Sequence, residues 1–261
     1  MKRMRFTAQE LYVLAETAGK SKMYGIPDGF AWVPGEELRA MRQQIGDALL
    51  EEDILEMDFD GKLNVAADYQ ELVGVYCDCQ KCLTINRQSN DGRSEDMIFW
   101  QKDKNIYRAE IDEDWYAIGK VSPFEAEASV IAENWPERLS QPLAEVVIPQ
   151  IALTKAKRYA MSGNTEEALR ILRQNGADDR TAAVLCDGLR EKAQFIGLLL
   201  MDMRFGNCEK TESAFLSSRG ITFAMRTTIV NFRTCTTFAE CEGTEAQRQI
   251  EENVTAFLRT E

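Results

Sequence analysis

The sequence predicts an α+β fold: two pseudo-repeated halves around a central antiparallel sheet with flanking helices. Three observations predict it. Each half passes from amphipathic helices into a run of short strands and closes on one more amphipathic helix. Each run of strands holds a matched hairpin, "MIFWQKDKNIYRAE" and "SAFLSSRGITFAMR", with Phe215 answering Phe99 and Ile221 answering Ile106. Either half alone would leave strand edges and an apolar sheet face in water, so the two are expected to pack together. The halves divide at 1–140 and 141–261 within one compact domain.

Helix starts justify the elements one by one. Thr7-x-x-Glu10, Ser122-x-x-Glu125 with Pro123, Asn164-x-x-Glu167 and Thr244-x-x-Gln247 have the spacing of capping boxes or close variants. The first box opens a helix through about Gly19. "PGEELRAMRQQIGDALL" then sets Leu38, Met41, Ile45 and Leu49 on one helical face. Asp60-Gly61 between short alternating runs predicts a hairpin. Val65, Tyr69, Leu72, Tyr76, Cys79 and Leu83 recur at helical spacing, so a third helix is expected to run through the cysteines. Strands are expected at 82–88, 97–102, 105–112 and 115–121, then a helix from Ser122 to Trp135. Pro136, Pro142 and Pro149 mark a connector.

The second half follows the same order. Helices are expected around 151–161, in "GNTEEALRILRQNG" with Gly176 as its stop, and in "DDRTAAVLCDGLREKAQ". "FIGLLLMDMR" leads into strands, "NFRTCTTFAE" is a further strand, and a capped helix from Thr244 to Arg259 turns Ile250, Val254 and Phe257 inward.

Composition excludes several functions. The net charge is -12 and there is no histidine. Phosphate backbones repel such a chain. Histidine nucleophile pairs, histidine metal ligands and imidazole switches are all absent. The basic start "MKRMR" is not followed by an apolar run, so it is not read as a signal peptide. Seven cysteines fit free thiols in a reducing, cytoplasmic compartment.

Three of those thiols crowd into "VYCDCQKC". A zinc site needs four ligands. In a helix Cys77 and Cys79 diverge, and in a strand Cys82 turns away from them. They read as small buried hydrophobes, with a Cys77/Cys79 or Cys79/Cys82 redox pair as the alternative. At a helix end the dipole would raise the thiol pKa. No cofactor or metal is expected.

The strings "FTAQELYVLAETAG" and "ALLEEDILEMDFDGKLNVAADYQELVGVYCDCQKCLTINR" together resemble the N-terminal half of EspG-type proteins. Those are the secretion-associated chaperones of type VII (ESX) secretion systems. "RYAMSGNTEEALRILRQNGADDRTAAVLCDGL" is similar to the helical segment before the family's late strands. The chain lacks the Gly/Ala/Arg-rich character of mycobacterial members, so it resembles a distant relative of the kind found in low-GC Gram-positive bacteria. The resemblance implies a quasi-two-fold α+β fold and a cytosolic, non-catalytic chaperone or adaptor. It also implies partners: helical-hairpin substrates of the secretion system, held soluble through their apolar tips. No binding residue carries over one to one. The candidate contacts are the loop "SNDGRSED" and its strand ends, namely Ser89, Asn90, Asp91, Arg93, Glu95 and Trp100, with core packing as the other reading of Trp100.

Four alternatives stand beside this one. The chain could be a generic interaction scaffold. A winged-helix regulator is another, in "EELRAMRQQIGDALLEEDILEMDFDGKLNV", although Arg39 and Arg42 are offset there by Glu36 and Glu37. "KAKRYAMSGNTEEALRILRQNG" echoes a TPR repeat but occurs once, and repeat folds need several copies. An enzyme working through cysteine or carboxylates is the last.

Overall fold

The computed structural model describes residues 5–89, 91–131, 145–204 and 206–259. The first half contains β1 (Arg5–Thr7), α1 (Ala8–Thr17), α2 (Gly35–Glu51), β2 (Leu55–Met57), β3 (Leu63–Val65), α3 (Ala67–Cys77), β4 (Lys81–Gln88), β5 (Ser94–Lys102), β6 (Asn105–Asp112), β7 (Trp115–Val121) and α4 (Pro123–Ile131). The second contains β8 (Val146–Pro149), α5 (Gln150–Met161), α6 (Thr165–Gln174), α7 (Asp179–Leu189), β9 (Gln194–Asp202), β10 (Glu209–Ser218), β11 (Ile221–Val230), β12 (Arg233–Cys241) and α8 (Gly243–Leu258).

Ten strands form one antiparallel sheet in the order β1-β7-β6-β5-β4-β9-β10-β11-β12-β8. From the β4–β9 junction outward, the order reads the same in both halves: a meander of four strands, then the half's first strand on the edge. The β2–β3 hairpin, with Gly61 at φ +74, forms a separate two-stranded sheet. The fold is therefore α+β around a central antiparallel sheet, as the sequence predicts. The division at 140/141 lies outside the described residues, as do Pro136, Pro142 and the last part of the helix expected to reach Trp135.

Alternation along the strands sends side chains to two faces. On one face Leu83, Ile85, Phe99, Ile196, Leu198 and Phe215 pack against α4 and α8. On the other, α1 and α3 cover the first half around Tyr76, Cys82 and Trp100. The helices α5, α6 and α7 cover the second half around Leu172, Leu185 and Phe223.

Three caps form as the sequence predicts. Thr7 and Glu10 close a reciprocal box, with Glu10 N donating to Thr7 Oγ1 at 3.2 Å and Thr7 N to Glu10 Oε2 at 2.8 Å. Ser122 with Glu125, and Asn164 with the Glu167 amide, cap α4 and α6. The fourth does not form. The N-cap of α8 is Glu242, with no side-chain cap bond, so Thr244 lies inside the helix. Two edge strands, β1 and β8, are additions to the expected elements. The cysteine helix ends at Cys77, so Cys79 lies beyond it and Leu83 sits in β4, facing the opposite core. Hairpin registers test the internal match. Phe99 and Phe215 sit at equivalent positions and enter the same core. Ile221 does not answer Ile106: it is opposite Ser218 at its turn, the place Asn105 holds opposite Lys102. That one-residue shift sends the two isoleucines to opposite faces.

One buried charge ties the halves together. Lys81 on β4 is 1% exposed. Its Nζ donates to the carbonyls of Ala256, Phe257 (3.4 Å) and Arg259 (2.6 Å) at the C-terminal end of α8. Gln101, its neighbour on β5, reaches Leu258 O at 3.5 Å. An ammonium is well placed there, because the last carbonyls of a helix lack partners and carry the negative end of its dipole. Replacing Lys81 by Met leaves those carbonyls without their shared donor. We expect Lys81→Met to lose about 2–4 kcal/mol in urea denaturation, with an unchanged m-value.

Candidate functional site

The helices of α1–α3 and α5–α7 sit over the outer parts of one sheet face and leave its middle open. The result is an open groove of about 1000 Å³. Its floor includes Ile98 and Asp96 on β5, Thr84 and Asn86 on β4, Gly197 and Leu199 on β9, Ala214 and Glu212 on β10, Met225 and Thr227 on β11, and Thr236 on β12. One wall is Gly25-Ile26-Pro27, and Gln150 at the start of α5 stands at the far end. Apolar and polar side chains alternate across this floor, which suits an amphipathic ligand better than a purely greasy one.

The wall is held by a residue of unexpected role. Trp100 is fully buried, and its Nε1 donates to Tyr24 O at 2.7 Å. Tyr24 N in turn donates to Tyr76 O at 2.9 Å. The next residue, Gly25, has φ +80, and a Cβ there would lie 2.6 Å from Ile98 and 2.9 Å from Cys82 Sγ. Only glycine allows the strand floor and this wall to meet so closely. Trp100 is thus a core residue and cannot touch a partner, which corrects its place among the candidate contacts.

The remaining candidates divide. Ser89, Asp91 and Arg93 form the β4–β5 turn: Ser89 Oγ bonds Asp91, and Arg93 Nε reaches Asp91 Oδ2 at 2.6 Å. The Arg93 guanidinium and the Ser89 hydroxyl hold the Asp91 carboxyl well below the usual carboxylate range. Asn90 lies outside the described residues. Glu95 turns to the face opposite the groove, where Arg87 and Arg108 both pair with it. Ser89, Arg93 and Glu95 with Arg87 and Ser94 line a separate hollow of about 270 Å³. The turn begins just past Asn86 and Asp96 of the groove floor, so its base adjoins the groove.

The three clustered cysteines are buried, free thiols. Burial, with help from Asp78, pushes Cys77 up to about 12. Burial likewise takes Cys79 up to about 12 and pushes Cys82 well above the usual thiol range. The direction matches expectation, but burial rather than the helix dipole is the main cause. Among the described residues, no three His, Cys, Asp or Glu side chains are placed to hold a metal ion. No helix there is long and apolar enough to cross a membrane. The α2–β2–β3 segment that could have been a helix and wing carries Glu51, Glu52, Asp53, Glu56 and Asp58, which oppose a phosphate backbone.

One chain of the solved structure of the Mycobacterium tuberculosis type VII secretion system chaperone EspG5 in complex with the PE25–PPE41 dimer aligns over nearly its whole length. The alignment covers 98% of this chain and 96% of that one, at 12% identity and a TM-score of 0.46. No residue role follows from a likeness this loose. No family model matches the chain, and no curated protein does.

Burial sets the thiol reactivity. Cys208 is exposed, whereas Cys77, Cys79, Cys82, Cys186 and Cys235 are buried. At pH 8 a maleimide or disulfide reagent is expected to label Cys208 first. The cysteine cluster should react only after unfolding, as peptide mass mapping of timed samples would show.

Proposed function

We propose that this chain is a cytosolic, non-catalytic chaperone or adaptor that holds a helical-hairpin substrate of a type VII secretion system against the groove. The observation that carries the reading is the groove's shape and floor. With Ile111 on β6 and Tyr116 on β7 it touches eight consecutive strands. At about 4.8 Å per strand spacing that is roughly 34 Å, the length of a helix of about 22 residues. A helical pair with an apolar stripe and polar flanks could cover Ile98, Leu199 and Met225 while pairing with Asn86, Asp96 and Glu212. The resemblance of the sequence to EspG-type chaperones supports the class of partner. We place the rim contacts at the β4–β5 turn, on Ser89, Asn90, Asp91 and Arg93, with Glu95 alongside on its outer face.

Asn86 is exposed at the middle of the floor. Asn86→Trp would fill the groove without touching the core. It is expected to weaken co-purification of a bound helical-hairpin secretion substrate at least about tenfold while shifting Tm by no more than about 3 °C. If no such substrate co-purifies with the unaltered chain or stays soluble because of it, the proposal fails.

We also take the halves 1–140 and 141–261 as one compact domain. Expressed alone, either half would bare the β4 or β9 edge. Each is expected to elute as aggregate in size-exclusion chromatography, and a soluble, monomeric half would refute this.

A further inference from the structure

The meander of the second half comes apart at one place. The β10–β11 ladder ends at the pair Ala214–Met225. Beyond it β10 continues along β9 as far as Glu209, and β11 continues along β12 as far as Val230. Glu209–Ser213 and Arg226–Val230 therefore have no ladder between them, and the groove runs into the gap. On its other side β12 loses its neighbour at Cys235, where β8 ends. The end of the β11–β12 hairpin thus projects as a two-stranded ribbon.

Ladder parity shows what the ribbon offers. Its loop has two residues, Asn231 and Phe232, so Val230 and Arg233 form a hydrogen-bonded pair. Arg226 and Thr228 then also bond β12, while Thr227 and Ile229 turn their N–H and C=O groups outward into the gap. Such an edge is a template for another strand.

The tip is costly as it stands. Asn231 (φ 49) and Phe232 (φ 62) are both left-handed. Asparagine accepts that conformation, but the second position normally takes glycine, and a bulky residue there is strained. Phe232 is nevertheless fully exposed, beside exposed Ile229 and Val230. An isolated chain gains nothing from a strained aromatic in water.

We propose that this ribbon pairs with the same ribbon of a second copy of the chain. Antiparallel pairing about Thr228 sets Thr227 of one copy opposite Ile229 of the other, twice, and the outward-facing groups bond each other. Arg226 falls opposite Val230, and each Phe232 is carried toward the other copy's Met225 at the mouth of the gap. Charge supports a second copy as the occupant. From Ser213 to Ala239 the chain has three arginines and no carboxylate, although its net charge is -12. Arg233, on the outer strand of an inserted ribbon, meets the exposed Glu209 and Glu212 on the free edge of β10. The contact is isologous and closes at two copies.

Sedimentation velocity on the intact chain, from about 2 to about 200 µM, tests this. A monomer–dimer equilibrium that weakens in high salt is expected. Thr227→Pro removes an outward N–H without breaking the β11–β12 ladder, and should weaken the dimer at least about tenfold. Phe232→Gly relieves the turn and removes the aromatic, so it should weaken the dimer while Tm holds or rises, and it decides the matter if the proline variant unfolds. A chain that stays monomeric throughout overturns the proposal and leaves the gap to a strand from another protein. A dimer untouched by Phe232→Gly overturns it as well. Neither outcome tests substrate binding, since no secretion substrate is present, although a second copy and a substrate would compete for Glu212, Met225 and Thr227.

Discussion

The antiparallel ladder between β4 and β9 is the contact on which everything else depends. It runs from Lys81 opposite Asp202 to Gln88 opposite Phe195 and joins two four-strand meanders into one sheet. Its register is strongly specified. Leu83 meets Leu200 and Ile85 meets Leu198, all four facing the core under α4 and α8. A slip of one residue would put those side chains in the groove and Thr84 and Asn86 in the core. The sheet therefore has one dry face and one half-open face because of a choice of parity in two strands.

The open face follows from where the helices can go. Each half brings three helices to the same side, and each set packs over its own strands. The sheet is wider than both sets together, so a strip along the shared seam stays uncovered. Trp100 and Gly25 then sharpen one bank of that strip. The buried indole holds the Tyr24 carbonyl, and the following glycine lets the chain lie almost on Ile98. A surface built this way rests on packed side chains beneath and is accessible above. In the adjacent cysteine cluster the buried sulfurs, with their raised pKa values, are poor nucleophiles.

Much of this was legible in the sequence wherever local chemistry decides local structure. The Thr7, Ser122 and Asn164 caps, the Asp60-Gly61 hairpin and the order of elements in each half all rest on contacts within a few residues. What was hidden depends on distant pairing. "RFT" and "VVIP" are too short to show alternation, and they are strands only because β7 and β12 offer them an edge. Thr244 had the spacing of a cap, but the chain enters α8 two residues earlier. Lys81 had every mark of a surface lysine, and Trp100 resembled a loop-end contact until its partner 76 positions away was known. The groove was hidden for the same reason, because its floor is assembled from a few residues on each of many strands.

Lys81 has a consequence for how the chain comes together over time. Its acceptors lie 175 to 178 positions further along the chain. During synthesis, at roughly 5–20 residues per second, the first meander emerges many seconds before they do. Throughout that interval its innermost strand carries an ammonium with no helix end to receive it. Lys81 shares the face of Leu83 and Ile85, so the side left unfinished is the one that α8 covers, while the first half's own core around Tyr76 and Trp100 lies on the other face and can close without it.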